Sequence, residues 1–245
     1  MPTYTPQPLY GGAIQGIIPE GWIDASTLRE IPDHQELYLS PTTLSSLIIE
    51  LNQPVPNPVA QATLHAHPRL LSGTSPQPGH APDQEALNRA AALHHLLDIC
   101  DPADTLAILQ PPARVALPRF AGEVAAYAGR VGFSSPLGGG RASLQQQQQR
   151  RPQQQRVVAG APEAGAGAGS SEDQAGTGTT TTQCWFLLVR LVEQETDLLV
   201  LVNVPEKEFV ERGDAAGLRR EIEVGEGVVA ELVRGLEVVE WGLFA

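Results

Sequence analysis

Six side chains between residues 24 and 36 have types and spacing that could do chemistry: Asp24, Arg29, Glu30, Asp33, His34 and Glu36. Pro32 ends a turn, because the residue before a proline is pushed out of the helical region. Asp33 and His34 then fall in the connection and Glu36 opens an extended run, so the carboxylates of Asp33 and Glu36 can present at one sheet edge. Asp24 and Ser26 can each cap a short helical turn running through Leu28 and Arg29, with Arg29 placed to pair with Asp24 or Glu30. The spacing leaves two readings open, a contact for a basic face and a solvated turn.

Other candidate chemistry is weak. Gly11-Gly12 lacks the second glycine pattern opening a helix and the Lys-Ser/Thr of a phosphate loop. His65 and His67 alternate as on a strand but sit among prolines without a third ligand, and His94 and His95 are neighbours on a helix and point ~100° apart. Cys100 and Cys184 share no metal or redox spacing and read as buried reduced thiols. With no nucleophile elbow and no zinc-protease helix, we expect no catalytic residue, no metal and no cofactor. A small-molecule pocket between sheet and helices remains the enzyme-like alternative.

The elements that must position the acidic stretch are legible in part. Ala13–Ile18 is strand-like, Pro19-Glu20-Gly21 is a turn, and Gln35–Leu39 is a second extended run. Trp22 reads as a core residue, and Tyr38 as core or as an aromatic anchor. Ser40-Pro41 predicts an N-cap and first helical position, with Leu44, Leu47, Ile48 and Leu51 on one helix face. Seven prolines predict a loop over 53–82. Asp83 predicts the cap of a helix from Gln84 to Ile99, and Phe120, Val124, Tyr127 and Val131 predict a weaker one. From 134 to 183 the Gln runs, Ala/Gly tract and Thr run predict a disordered insertion. Trp185–Val192 and Leu198–Val204 are apolar on both faces and read as a hairpin covered on both sides, which argues for an α/β/α sandwich. Leu218, Ile222, Gly225, Val229, Leu232 and Leu236 form one helical stripe, with a kink expected at Gly225 or Gly227; Val238–Phe244 reads as a closing strand with Trp241 and Phe244 in the core.

The chain is 245 residues, 42% hydrophobic and 18% charged, and its formal net charge of −12 lies in its two ends: −5 over 1–51, zero over 52–183 and −7 over 184–245. Such a surface repels nucleic acid and anionic membranes and attracts a basic protein face. No apolar run reaches the ~18–20 residues of a membrane span, and the start carries no signal pattern. We expect a single domain over 1–245, interrupted at 53–82 and 134–183, acting as a monomer.

Three stretches together resemble the Ran guanine nucleotide release factors, of fungal type. They are Leu9-Tyr10-Gly11-Gly12-Ala13-Ile14 continuing through Gly21-Trp22-Ile23-Asp24-Ala25-Ser26 to Leu37-Tyr38, then Val202-Asn203-Val204-Pro205, and last Leu236-Glu237-Val238-Val239-Glu240-Trp241-Gly242-Leu243-Phe244-Ala245. The resemblance implies an α/β/α sandwich around a mainly antiparallel sheet, related to PsbP proteins. It also implies a non-catalytic protein that binds the GTPase Ran, promotes release of its guanine nucleotide and supports nuclear protein import, in the nucleus and cytoplasm. Asp33 and Glu36 match the acidic positions of the family's Ran-binding patch, with Arg29, His34 and Asp24 as lesser candidates. An acidic adaptor that binds another partner without releasing nucleotide is the alternative.

Overall fold

The computed structural model describes residues 2–67, 82–120, 124–136 and 179–244. The hairpin read from the sequence is its centre. β8 (Thr179–Leu191) and β9 (Thr196–Pro205) pair antiparallel from Thr182↔Pro205 to Leu191↔Thr196. Because side chains alternate across a strand, Trp185, Leu187 and Val189 face one core, and Cys184, Phe186 and Leu188 face the other. Fully burying an apolar side chain of this size contributes ~1.5–3 kcal/mol, which is why both faces carry an apolar run.

Around the hairpin lie β3 (Ile23–Asp24), β4 (Gln35–Leu39), β5 (Ser46–Asn52), β6 (Thr105–Val115) and β7 (Ala125–Pro136). The seven-stranded sheet has the order β3-β4-β5-β9-β8-β7-β6, with every pair antiparallel. One face is covered by α1 (Asn57–Ala66) and α2 (Gln84–Asp98). The other is covered by α4 (Ala215–Gly235), which follows the short α3 (Lys207–Arg212), and by a three-stranded sheet of β1 (Tyr4–Leu9), β2 (Ile14–Pro19) and β10 (Glu237–Val238). The architecture is the expected α/β/α sandwich with an antiparallel centre.

Four sequence expectations are corrected. The helix expected after Ser40 is strand β5, paired on both sides with β4 and β9, so Ile48 and its neighbours Leu47 and Ile49 bury opposite faces. The helix expected from Phe120 to Val131 is strand β7 from Ala125 on, buried between β6 and β8; residues 121–123 lie outside the described residues. The loop expected over 53–82 contains α1, in which Pro58 occupies the first turn, where a missing N–H costs nothing; residues 68–81 lie outside the described residues. Of the disordered insertion expected over 134–183, the two ends are strand instead, since Ser134–Pro136 pair with Thr179–Thr181 and β8 runs on through Gln183; residues 137–178 lie outside the described residues.

At the C-terminal side, Asp214 caps α4 by accepting from Gly217 N at 2.7 Å. No kink appears at Gly225. A Cβ there would meet the Trp185 ring at 2.8 Å, so the glycine permits close approach of helix and sheet rather than bending the helix. The expected closing strand is limited to β10; Trp241–Phe244 form a 3-10 turn, with Trp241 41% exposed and set edge-on against Phe120.

One polar cluster lies inside the sandwich. Asp197, 1% exposed, accepts from Arg190 Nε at 3.0 Å, Val55 N at 3.0 Å and His95 Nε2 at 2.9 Å. Arg190 also donates to Asn88 Oδ1 at 2.9 Å and to Val55 O at 2.7 Å. Burial pushes the Asp197 carboxyl up, but the His95 bond, the Arg190 charge and the Val55 N–H outweigh it and hold the group below the ordinary carboxylate range.

Candidate functional site

The acidic stretch is built outward from a turn whose backbone is unusual. Tyr10, Gly11 and Gly12 follow one another at φ 50°, 66° and 100°, and a non-glycine in the left-handed region is costly unless its surroundings hold it. Here they do. The Tyr10 N–H donates to Glu36 Oε1 at 2.5 Å, and the Tyr10 hydroxyl donates to Ile49 O at 2.9 Å and His34 O at 3.1 Å. The turn that joins β1 to β2 is thereby locked to β4 and β5.

The second wall is the connection from β3 to β4. Asp24 Oδ1 accepts from Ser26 N at 2.8 Å and caps the 3-10 turn Ala25–Thr27, as the sequence predicts. Thr27 Oγ1 closes back on Asp24 O at 2.7 Å. Arg29 forms no ion pair with Asp24 or Glu30 among the described residues, so the expected pairing is not made.

Between these walls, at the β3–β4 edge of the large sheet, lies a groove of about 470 Å³. Gln7, Pro8 and Gly11 supply one side of it, and Asp24, Ser26 and the run Arg29–Asp33 the other. Gln35, Glu36 and Tyr38 of β4 line it between them. Asp24, Glu30, Asp33 and Glu36 oppose a single base, Arg29, which gives the groove an acidic balance.

Of the five candidate residues, the structure brings Asp24, Arg29, Asp33 and Glu36 together in the groove. His34 leaves it: its Nε2 lies 3.6 Å from Glu50 Oε1, on a carboxylate buried to 1% exposure that also accepts from Gln35 Nε2 at 2.9 Å. Asp33 is exposed, whereas Glu36 is half-buried. Burial raises the Glu36 carboxyl, the Tyr10 N–H bond lowers it, and the nearby Asp24 charge raises it, with a net upward shift. Tyr38 is core, 2% exposed, and Trp22 is half-buried against the same cluster.

Sequence reasoning missed Tyr10 and Gln7. Gly11-Gly12 marks a turn, but no residue type places Tyr10 in its left-handed backbone or ties it to Glu36. Among the described residues no three His, Cys, Asp or Glu side chains gather as a metal site, and no helix is long and apolar enough to cross a membrane. Cys184 is buried and Cys100 half-buried; burial raises both thiols, Cys100 to about 12. The arrangement can hold and orient carboxylates toward a cationic group.

The family model described as "Ran-interacting Mog1 protein" matches residues 7–205. The chain is similar to the Ran guanine nucleotide release factor of Homo sapiens, 54% identical over 44 residues, a segment that is 18% of this chain and 24% of the human protein. It is similar to the nuclear import protein MOG1 of Saccharomyces cerevisiae, 66% identical over 32 residues, 13% of this chain and 15% of the yeast protein. These matches span about a quarter or less of the relatives' own length. Among solved structures, the S. cerevisiae Ran-binding protein Mog1p is similar to it with a TM-score of 0.53, at 20% identity and over 100% of both chains. At that identity the likeness is one of fold.

Proposed function

This chain belongs to the Ran-interacting Mog1 protein family, and from that premise we propose that it binds the GTPase Ran through the acidic groove, promotes release of Ran's guanine nucleotide and supports nuclear protein import, in the nucleus and cytoplasm. The observation that carries the reading is the convergence of Asp33 and Glu36 on one groove at a sheet edge, with Glu36 held by the Tyr10 backbone.

The physical route needs no covalent chemistry. A GTPase keeps its nucleotide through basic and magnesium contacts to the phosphates and through ordered switch loops. A binder that prefers the loosened arrangement lowers nucleotide affinity by the same factor by which nucleotide lowers the binder's own. Asp33, exposed on the connection, and the groove-lining Glu36 are the groups that meet a basic face. Arg29 stands at the groove with no ion-pair partner among the described residues, available to an acidic group beside that face. Asp24 acts mainly as the cap that holds the connection in place, and His34 supports the groove from behind through Glu50.

The test is the rate at which the purified chain releases labelled guanine nucleotide from Ran. Acceleration by the unaltered chain, lost in Asp33→Lys, is the expected result. Tight binding without acceleration would favour an adaptor, and no binding would overturn the reading.

A further inference from the structure

One exposed apolar side chain stands next to the acidic groove in the chain. Leu28 is 64% exposed and closes the capped turn Ala25–Thr27, whereas Ile23 pairs with Leu39 and so faces away from the groove-lining Asp24 and Tyr38. Single exposed apolar side chains are ordinary on a protein surface, and others occur here, Leu44 and Val210 among them. Leu28 differs in its position and its rigidity. It lies between Ser26 and Arg29, both of which line the groove, and its N–H is tied to Ala25 O at 3.0 Å. The turn beneath it is fixed by the Asp24–Ser26 and Thr27–Asp24 bonds at 2.8 and 2.7 Å, so the backbone that carries Leu28 has little conformational freedom left to lose on binding.

We infer that Leu28 is an apolar anchor for the partner, so that the groove takes a protein segment presenting a Lys or Arg side chain next to an exposed apolar one. This rests on the proposed function and names the chemistry of the partner surface. The charge balance selects the occupant. A second copy of this chain would bring a like acidic groove and a net charge of −12, and an anionic membrane or nucleic acid would meet four carboxylates. A basic protein segment meets complementary charge, while Leu28 supplies the attraction that salt does not screen.

The two contributions separate in their salt dependence. Full-length chain, Leu28→Ser, Leu28→Met and Asp33→Lys are titrated against Ran at low and high salt, with the melting temperature of each recorded. Leu28→Ser is expected to weaken binding at least ~10-fold at both salt concentrations, with Leu28→Met close to the unaltered chain and all melting temperatures alike. Asp33→Lys is expected to weaken binding most at low salt and to flatten the salt dependence. Native affinity in Leu28→Ser together with loss in Asp33→Lys overturns the anchor and leaves the groove standing. An unaltered chain that binds no Ran overturns both.

Discussion

Glu36 divides one carboxylate between two tasks. Oε1 accepts from the Tyr10 N–H, and the same side chain lines the groove. Its folded pKa is raised, so its contribution to stability is fully present below the unfolded value of ~4.3 and is lost as pH rises through the folded value. Glu36→Gln keeps an acceptor for Tyr10 and removes the half-buried charge. Its melting temperature at neutral pH is expected to equal or exceed that of the unaltered chain, with the gap closing below about pH 4 and Ran affinity falling. A lower melting temperature at neutral pH would show that the charge itself holds the turn. The lysine pair, Asp33→Lys with Glu36→Lys, is expected to reduce Ran affinity at least ~30-fold. Asp33→Lys alone should change stability by less than ~0.5 kcal/mol, whereas Glu36→Lys should cost ~1–3 kcal/mol, because a half-buried N–H loses its acceptor. Thermal melts of the single and double variants separate these terms. The acidic pair was legible from Pro32, the short connection and the family resemblance. The tie to Tyr10 was not, since it spans 26 positions and depends on a left-handed turn that residue types alone do not place.

The elements were read best where periodicity and burial agree. The β8–β9 hairpin and α4 carry long apolar patterns with polar ends; β9 and α4 stand close to their expected limits, while β8 begins six residues before the expected Trp185. β5 and β7 were misread because a strand buried on both faces has no alternation of its own, so leucines and valines three and four apart imitate a helix face. Glycines in α4 misled for a related reason, since propensity sees the cost of Gly but not the ring beneath it. Gly225→Ala gains ~1 kcal/mol of helix propensity, yet its methyl must displace a buried Trp185 held between α4 and the Arg130 guanidinium. The substitution is expected to destabilise by ~1–3 kcal/mol, the range for overpacking, which urea titration would read directly. Trp241→Ala is expected to cost well under the ~3–5 kcal/mol of a core aromatic, because the ring is 41% exposed; a loss of that full size would mean that the C-terminal turn is a packing element after all.

At the scale of the whole molecule, one buried carboxylate joins the layers. Asp197 ties β9 to β8 through Arg190, to α2 through His95 and to the segment before α1 through Val55. Its depressed pKa means that its contribution is present above the unfolded value of ~3.9 and is lost as pH falls through the folded one. Asp197→Ala is expected to cost ~3–5 kcal/mol, the range for leaving a buried partner charge uncompensated. It should also remove part of the acid-unfolding transition, which circular dichroism between pH 2 and 7 would follow, ~pH 4 being the informative region. The seam was hidden from sequence reading, since His95 and Asp197 lie 102 positions apart and each looks ordinary alone. The pairing of Pro136 with Thr179 bears on how the protein can be instrumented. The chain leaves and re-enters the sheet at neighbouring positions, so a fluorescent domain inserted there would join the fold by two adjacent stems. Following the register from Glu36 through Ile49 and Val200 to Leu187, that port lies eight residues along β8 from the groove's level. At ~3.3 Å per residue this is ~26 Å, far enough for an optical reporter to sense docking without obstructing it.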